Sequence, residues 1–321
     1  MTDASSTHQR LDLPASHPAE RIDKVLVDAL GLSRARAKKL FDDGAVRLNG
    51  KRVRKGAIAA PGDVIDVVLS AEAQVAPAEV PPIAQPELEL KVAFEDAWVV
   101  VIDKPAGMPS HPLSPGELGT VANFLAARFP ECVAANPAAP REAGLVHRLD
   151  TDTSGLLAAA RTPAAHQALR AAFSARTVDK AYVAAVCGPL ADSGAIELPV
   201  AHAPGDARKM VALGSADAAL RLKARDARTT FEVRARKGDC SLLEVRIDTG
   251  VMHQIRVHLS AVGAPILGDL LYEGPPSPRL ERQFLHAAKL GWPHPDTGAR
   301  VTVESPLPED LRSAWDAAPA D

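Results

Sequence analysis

From Glu20 the apolar positions follow a helical period: Ile22, Val25, Leu26 and Leu30 recur along the chain, Gly31 breaks the run, and Ser33 is placed to cap a second helix ending near Gly44. The pattern then changes to strands. Residues 45–48 and 51–54 flank Asn49-Gly50, the dipeptide that best tolerates the positive φ angles of a tight hairpin turn, and Gly62-Asp63 precedes a third strand over residues 64–69. From Leu90 onward, short apolar runs at residues 99–102, 182–186, 242–247 and 255–259 read as strands. Helical stretches lie between them, one starting at Thr162-Pro163, a cap followed by proline at the first helical position. This order predicts an α+β protein, a mixed and mostly antiparallel sheet preceded by a small α/β module.

The chain divides into segments of different composition. Residues 1–18 are polar, with scattered prolines and no apolar period, and are expected to form a disordered leader. The helix and hairpin module occupies residues 19–70. Residues 71–89 are rich in Ala and Pro, including Pro77, Pro81, Pro82 and Pro86, and are expected to form a semi-extended linker before a second domain at residues 90–321. No internal repeat is present.

Composition adds limits. An apolar fraction of 46% over 321 residues can bury a core in at least one of two domains. No run of about 18 apolar residues occurs, and the opening MTDASSTHQR lacks the charged and apolar parts of a signal peptide, so no membrane association and a cytoplasmic location are expected. Cys132, Cys187 and Cys240 are far apart and none sits in a C-x-x-C pair, so they read as small buried side chains, with neither a zinc ribbon nor a disulfide framework. The net charge of -3 conceals a segregation: eleven Lys and Arg against four Asp lie between Arg21 and Lys55. Such a segment is an electrostatic footprint for phosphate, and Arg34, Lys38, Arg52 and Lys55 are its candidate contacts. Two helices followed by a basic hairpin resemble the αL RNA-binding module found in a small-subunit ribosomal protein and in several RNA-modifying enzymes.

The densest chemical cluster is GLVHRLDTDTSGLL at residues 144–157. Apolar residues bracket His147, Arg148 and Asp150, which places the polar groups on a tight turn at the edge of the core, where a carboxylate is oriented rather than merely solvated. This segment resembles the signature of RluA-like pseudouridine synthases, His-Arg-Leu-Asp, two variable positions, then Thr-Ser-Gly. Three further segments agree in order: VVIDKPAGMPSHP at 99–111, KAYVAAVCG at 180–188 and TGVMHQIRVHLSAVGAPILGD at 249–269. The resemblance runs from Leu90 almost to the C-terminus.

By that resemblance Asp150 falls on the catalytic aspartate, Arg256 on the arginine that pairs with it, and Tyr182 on the tyrosine that packs against the target base. The implied reaction breaks the bond from ribose to N1 of uracil, turns the base and rebuilds the bond to C5, with no cofactor and no metal. An ionised carboxylate suits it as nucleophile or as stabiliser of positive charge on the ribose, and a carboxylate in a dry pocket needs a cationic partner to stay ionised. Arg256 is expected on a strand, between Ile255 and Val257. Lys104 is expected near the site or on RNA phosphate, and His147 and Arg148 as residues that position the loop or contact a nucleotide. His253 and His258 would face opposite sides of such a strand, which argues against a shared metal.

The chain departs from the family pattern at Val251, where arginine is usual, and at Ala264, where histidine is common. This bears on substrate identity, not on the reaction. The implied partner is structured RNA, ribosomal RNA ahead of transfer RNA, with a monomer as the default state. Two readings compete: a non-catalytic RNA-binding or ribosome-assembly factor on the same fold, and a nucleoside hydrolase-like enzyme, which would have little use for the basic module.

Overall fold

A computed structural model describes residues 7–14, 16–17, 19–30, 34–69 and 80–318. The chain divides into two compact units, Met1–Ala78 and Glu79–Asp321.

In the first unit, β1 (Thr7–Asp12) and β2 (Glu20–Arg21) lead into α1 (Ile22–Leu30) and α2 (Arg34–Asp42). Then come β3 (Val46–Leu48), β4 (Lys51–Arg52), β5 (Ile58–Ala59) and β6 (Val64–Leu69). Both helices, the hairpin and the third strand stand where the sequence pattern puts them. Asn49 and Gly50 form the turn with φ of 50° and 78°. The Asn49 side chain accepts from the Val64 amide at 2.9 Å and donates to Asp63 at 2.7 Å, tying the hairpin to the start of β6. Ile65, Val67 and Leu69 alternate inward from β6 onto Ile22, Leu26, Leu40 and Phe41, which accounts for both the period of 2 and the helical period.

One expectation is corrected here. Residues 7–12, read as part of a disordered leader, form β1, which pairs antiparallel with β6 from Thr7↔Leu69 to Asp12↔Val64. Leu13 is buried, and its amide donates to Asp63 O at 2.9 Å. The polar side chains of β1 are those of an edge strand, whose ladder comes from the partner's backbone and leaves no apolar period to read. Gly31 and Ser33, the expected break and cap, lie outside the described residues, as do residues 71–79 of the expected linker.

The second unit is built on a nine-stranded sheet. Its elements begin with β7 (Lys91–Glu95), β8 (Val99–Lys104), α3 (Val121–Arg128), α4 (Glu131–Ala135), β9 (Ser154–Ala160), α5 (Pro163–Ser174) and β10 (Asp179–Cys187). They continue with β11 (Ser193–Ile196), β12 (Val200–Ala203), β13 (Asp206–Ala212), α6 (Ala216–Arg221), β14 (Thr229–Lys237) and β15 (Cys240–Ile247). The last four are α7 (Gln254–Ala261), β16 (Leu285–Pro293), β17 (Arg300–Glu304) and α8 (Glu309–Asp316). The strand order is β11-β14-β15-β10-β16-β9-β8-β7, with β17 on β16, and β16 with β9 is its one parallel pairing. β12 and β13 form a separate hairpin.

All seven residues of β9 are buried, because the sheet is covered on both faces. Alternate residues of the central strands feed two cores: Val100, Ile102, Leu157 and Ala159 pack on one side, Val99, Val101, Leu156 and Ala158 on the other. At the β9–β16 junction Gly155 adopts φ of 113°, and a Cβ there would lie 2.3 Å from the Ala287 carbonyl oxygen, so only glycine lets the parallel strands meet. Helix α5 starts at the expected cap, with Thr162 Oγ1 accepting from the Ala165 amide at 3.1 Å.

Three more expectations change. Residues 255–259 form helix α7 and no strand. Gln254 to Leu259 are all buried, so the polar members of the run are paired inside the protein and the apolar members mimic alternation. The end of the expected linker is packed: the Gln85 amide donates to Asn123 O at 3.2 Å, the Gly119 amide donates to Gln85 Oε1 at 2.6 Å, and Leu88 and Leu90 lie against the core. Cys187 and Cys240 are joined in a disulfide, since the register of β10 on β15 sets them opposite each other, a pairing that a separation of 53 residues hides. Cys132 is free and buried.

Candidate active site

The HRLD segment forms a loop feeding β9, and its backbone is held from several directions. Lys104, at the end of β8, is fully buried. Its ammonium donates to the carbonyls of Pro105 at 2.9 Å, Met108 at 2.7 Å and Thr151 at 2.8 Å. Burial pulls it down to about 7 against the opposing pull of Asp152 and Asp150. Lys104 therefore braces the loop, its ammonium donating to three carbonyls. Ser110 Oγ donates to Leu149 O at 2.9 Å and accepts from the Leu149 amide at 3.1 Å. Arg282 donates to Asp152 O at 3.1 Å, and Gln283 donates to Thr153 Oγ1 at 3.2 Å.

His147 faces the other way. Its Nε2 accepts from the Ala158 amide at 3.0 Å and its ring stacks on Phe173, with centroids 5.0 Å apart. Burial, then the charges of Lys180 and Arg170, pushes it down to about 3. His147 is thus a neutral anchor between loop and sheet. Arg148 is exposed on the cleft wall and makes no hydrogen bond or salt bridge among the described residues.

These elements surround a cleft of about 830 Å³ whose lining includes Asp150, Tyr182, His253 and Arg256. Asp150 Oδ2 accepts from Arg256 Nη1 at 3.1 Å and lies 3.8 Å from His253 Nε2, while Oδ1 makes no hydrogen bond to a described residue. Asp269, almost wholly buried, accepts from the same guanidinium at 2.6 Å and 2.8 Å in a bidentate pair. Burial opposes the charge of Arg256, but the hydrogen bonds and charges of Asp269 and then Asp150 more than offset it and hold the guanidinium above its ordinary value. Its face lies over the Tyr272 ring, 5.1 Å from the centroid. The Tyr272 hydroxyl accepts from the Met210 amide at 2.8 Å and meets His253 Nδ1 at 2.9 Å.

Tyr182, from β10, is buried. Burial and the charge of Asp150 both push its phenol up, so at neutral pH it presents a protonated ring. The structure brings Asp150, Arg256 and Tyr182 to one cleft. His258 lies apart, bound to Thr229 Oγ1 at 2.8 Å and Leu198 O at 2.9 Å. Asp269 and Tyr272 escaped the sequence reading. Asp269 closes the 249–269 segment, and its spacing from Arg256 becomes meaningful only once α7 is known to be a helix. Val251 is buried among Val200, Met210, Val257 and Tyr272, and Ala264 is fully buried.

In the other unit Lys38, Arg52 and Lys55 are exposed and make no hydrogen bond or salt bridge among the described residues, and the side chain of Arg34 lies outside the described residues.

The sequence model of RNA pseudouridylate synthases matches residues 98–261. This chain belongs to that family. Its activity is the isomerisation of uridine in RNA to pseudouridine, and residues 20–65 match the S4 domain. The synthase is similar to ribosomal large subunit pseudouridine synthase D of Xanthomonas campestris pv. campestris, 37% identical over 94% of this chain and 89% of the relative. It is also 40% identical to an uncharacterized RNA pseudouridine synthase of Chloroflexus aurantiacus over 94% and 90% of the two chains. The structure of human RNA pseudouridylate synthase domain containing 1 aligns with a TM-score of 0.53 at 26% identity, covering 73% of this chain and 97% of that one.

Two predictions follow from this geometry. Asp269→Asn removes one acceptor and the charge that holds Arg256, so the single-turnover rate of pseudouridine formation should fall about 10²-fold while RNA affinity stays unchanged; a wild-type rate would show that Arg256 needs no such anchor. For His147 the folded chain excludes a proton that the unfolded chain binds below about pH 6.5. Its contribution to stability is complete above that value and is lost as pH falls toward 3. Urea unfolding should therefore show wild type losing roughly 1 kcal/mol per pH unit more than His147→Gln below pH 6, and parallel pH profiles would contradict it.

Proposed function

We propose that this synthase converts specific uridines of large-subunit ribosomal RNA into pseudouridine, with Asp150 as the catalytic residue. The observation that carries the reading is Asp150 at the cleft, one oxygen held by Arg256 and the other making no hydrogen bond to a described residue. A carboxylate anchored through one oxygen keeps its charge and its position, and its second oxygen is available to the ribose or the base. Uridine loses the N1 bond to C1′, gains the bond from C5 to C1′, and moves one proton from C5 to N1, so the product is an isomer and no electrons are exchanged. Tyr182 supplies the face on which a flipped uracil stacks. His147, Lys104 and the other loop contacts act through Asp150, by fixing where its backbone stands. The substrate class follows from the relatives named ribosomal large subunit pseudouridine synthase D together with the S4 domain. Lys38, Arg52 and Lys55 are proposed as phosphate contacts that place the RNA. The protein works in the cytoplasm, where ribosomal RNA is found.

Among the described residues no helix is long and apolar enough to cross a membrane.

A pseudouridine map of ribosomal RNA from cells lacking this protein should show lost sites that wild type restores and Asp150→Asn does not. An unchanged map, or restoration by Asp150→Asn, would favour a binding or assembly factor. RNA affinity should fall steeply with salt, and replacing Arg52 and Lys55 together by Gln should reduce the slope of log affinity against log salt by roughly 1.4 to 1.8, two phosphate contacts' worth; an unaltered slope would remove those two residues from the interface.

A further inference from the structure

Lys180 is the second residue of β10, two residues before Tyr182, lines the same cleft, and is 9% exposed. No step of the isomerisation uses it. Its ammonium makes one hydrogen bond, to Thr249 O at 3.1 Å, and lies 5.6 Å from the centroid of the Phe173 ring, so among the described residues two of its three N–H groups have no acceptor. Arg170, from α5, lines the cleft as well and spends only Nη1, on Val146 O at 3.0 Å. Each of the two cations lies close enough to His147 for its charge to act there. The carboxylate that acts on Lys180 is Asp248, which is itself held by Arg228 Nη1 at 2.9 Å. A buried ammonium with spare donors and no carboxylate bonded to it is costly, and an anion arriving in the cleft would complete it.

RNA brings one anion per nucleotide. A uracil carbonyl would need only a neutral donor, whereas a pair of cations matches a phosphodiester. We propose that Lys180, with Arg170 lining the same cleft, forms an anion subsite for the phosphodiester bordering the isomerised uridine and so holds the flipped nucleotide in register with Asp150. The subsite rests on the reading of this cleft as the uridine pocket. Burial pulls Lys180 down to about 8, which leaves it mostly charged at neutral pH, and a bound phosphate would raise it again. Its role is positioning, and it takes no part in bond making.

The test uses the full chain and a ribosomal RNA fragment containing a uridine that Asp150→Asn fails to modify in cells. The fragment is made unmodified, and with one neutral methylphosphonate on the 5′ or the 3′ side of that uridine. Lys180→Met should raise KM about 10- to 100-fold with kcat little changed, as expected for loss of a charge-assisted contact present in both ground and transition states. Lys180→Arg should recover most of the loss. On wild type one of the two methylphosphonates should impose a similar penalty, and on Lys180→Met that same methylphosphonate should add almost nothing. Additive penalties at both positions, or a loss confined to kcat, would overturn the subsite. If Lys180→Met does not fold, Arg170→Met enters the same cycle with the same two outcomes. Failure of wild type to turn over the unmodified fragment would instead overturn the pseudouridine reading on which the subsite rests.

Discussion

One guanidinium between two carboxylates organises this cleft. Arg256 gives two of its nitrogens to Asp269, inside the protein, and one to Asp150, at the cleft. A buried arginine with only one carboxylate would be free to swing, and a carboxylate in a dry cleft with no cation would take up a proton. The second acid removes both difficulties. Asp269 satisfies and orients the guanidinium, so Asp150 meets a cation already fixed in place and keeps one oxygen for chemistry. The Tyr272 ring beneath the guanidinium closes its remaining face, and the Tyr272 hydroxyl carries that support on to the β13 amide of Met210 and to His253.

Such an arrangement needs a frame that does not yield. The central strands are buried on both faces, and the loop bearing Asp150 is bonded to that frame at successive positions: Ser110 on Leu149, Lys104 on Thr151, Arg282 on Asp152 and Gln283 on Thr153. Loop backbone inside a protein must find partners for its polar groups, and here those partners determine where the carboxylate points. Lys104 shows the cost accepted: its ammonium is stripped of water and depends wholly on three carbonyls. A charge buried in this way serves position, since a neutral side chain of the same length could not gather three carbonyls from two segments of the chain.

Most of the frame was legible because its elements bury one face or two in a simple period. The alternation in residues 64–69, the Asn49-Gly50 turn and the Thr162 cap each reflect a local rule that tertiary structure leaves intact. Asp150, Tyr182 and Arg256 were legible through their motifs. Helix α7 was misread because Arg256 and His258 are buried against partners far away in the sequence, Asp269 for one and Thr229 with Leu198 for the other, so polar residues no longer mark an outer face. Strand β1 and the Cys187–Cys240 pair escaped for a related reason: each depends on a partner strand more than fifty residues away, and nothing within either segment records it. Lys104 was recognised as belonging to the site, but its task could be read only when the carbonyls around it were in place.

Val251 stands where the family resemblance led to an arginine being expected. Val251 is buried in the small cluster with Val200, Met210, Val257 and Tyr272, the cluster in which the ring beneath Arg256 sits. Its amide also donates to Gln254 Oε1 at 3.2 Å, and Gln254 reaches on to the Arg228 carbonyl, so the turn entering α7 is held from within. An apolar side chain at this position contributes packing beneath the guanidinium, where an arginine would have had to reach solvent or a phosphate past Tyr272. The apolar residue therefore supports the ring beneath the Arg256–Asp150 ion pair, and the cations Arg148 and Arg225 stand exposed on the cleft wall.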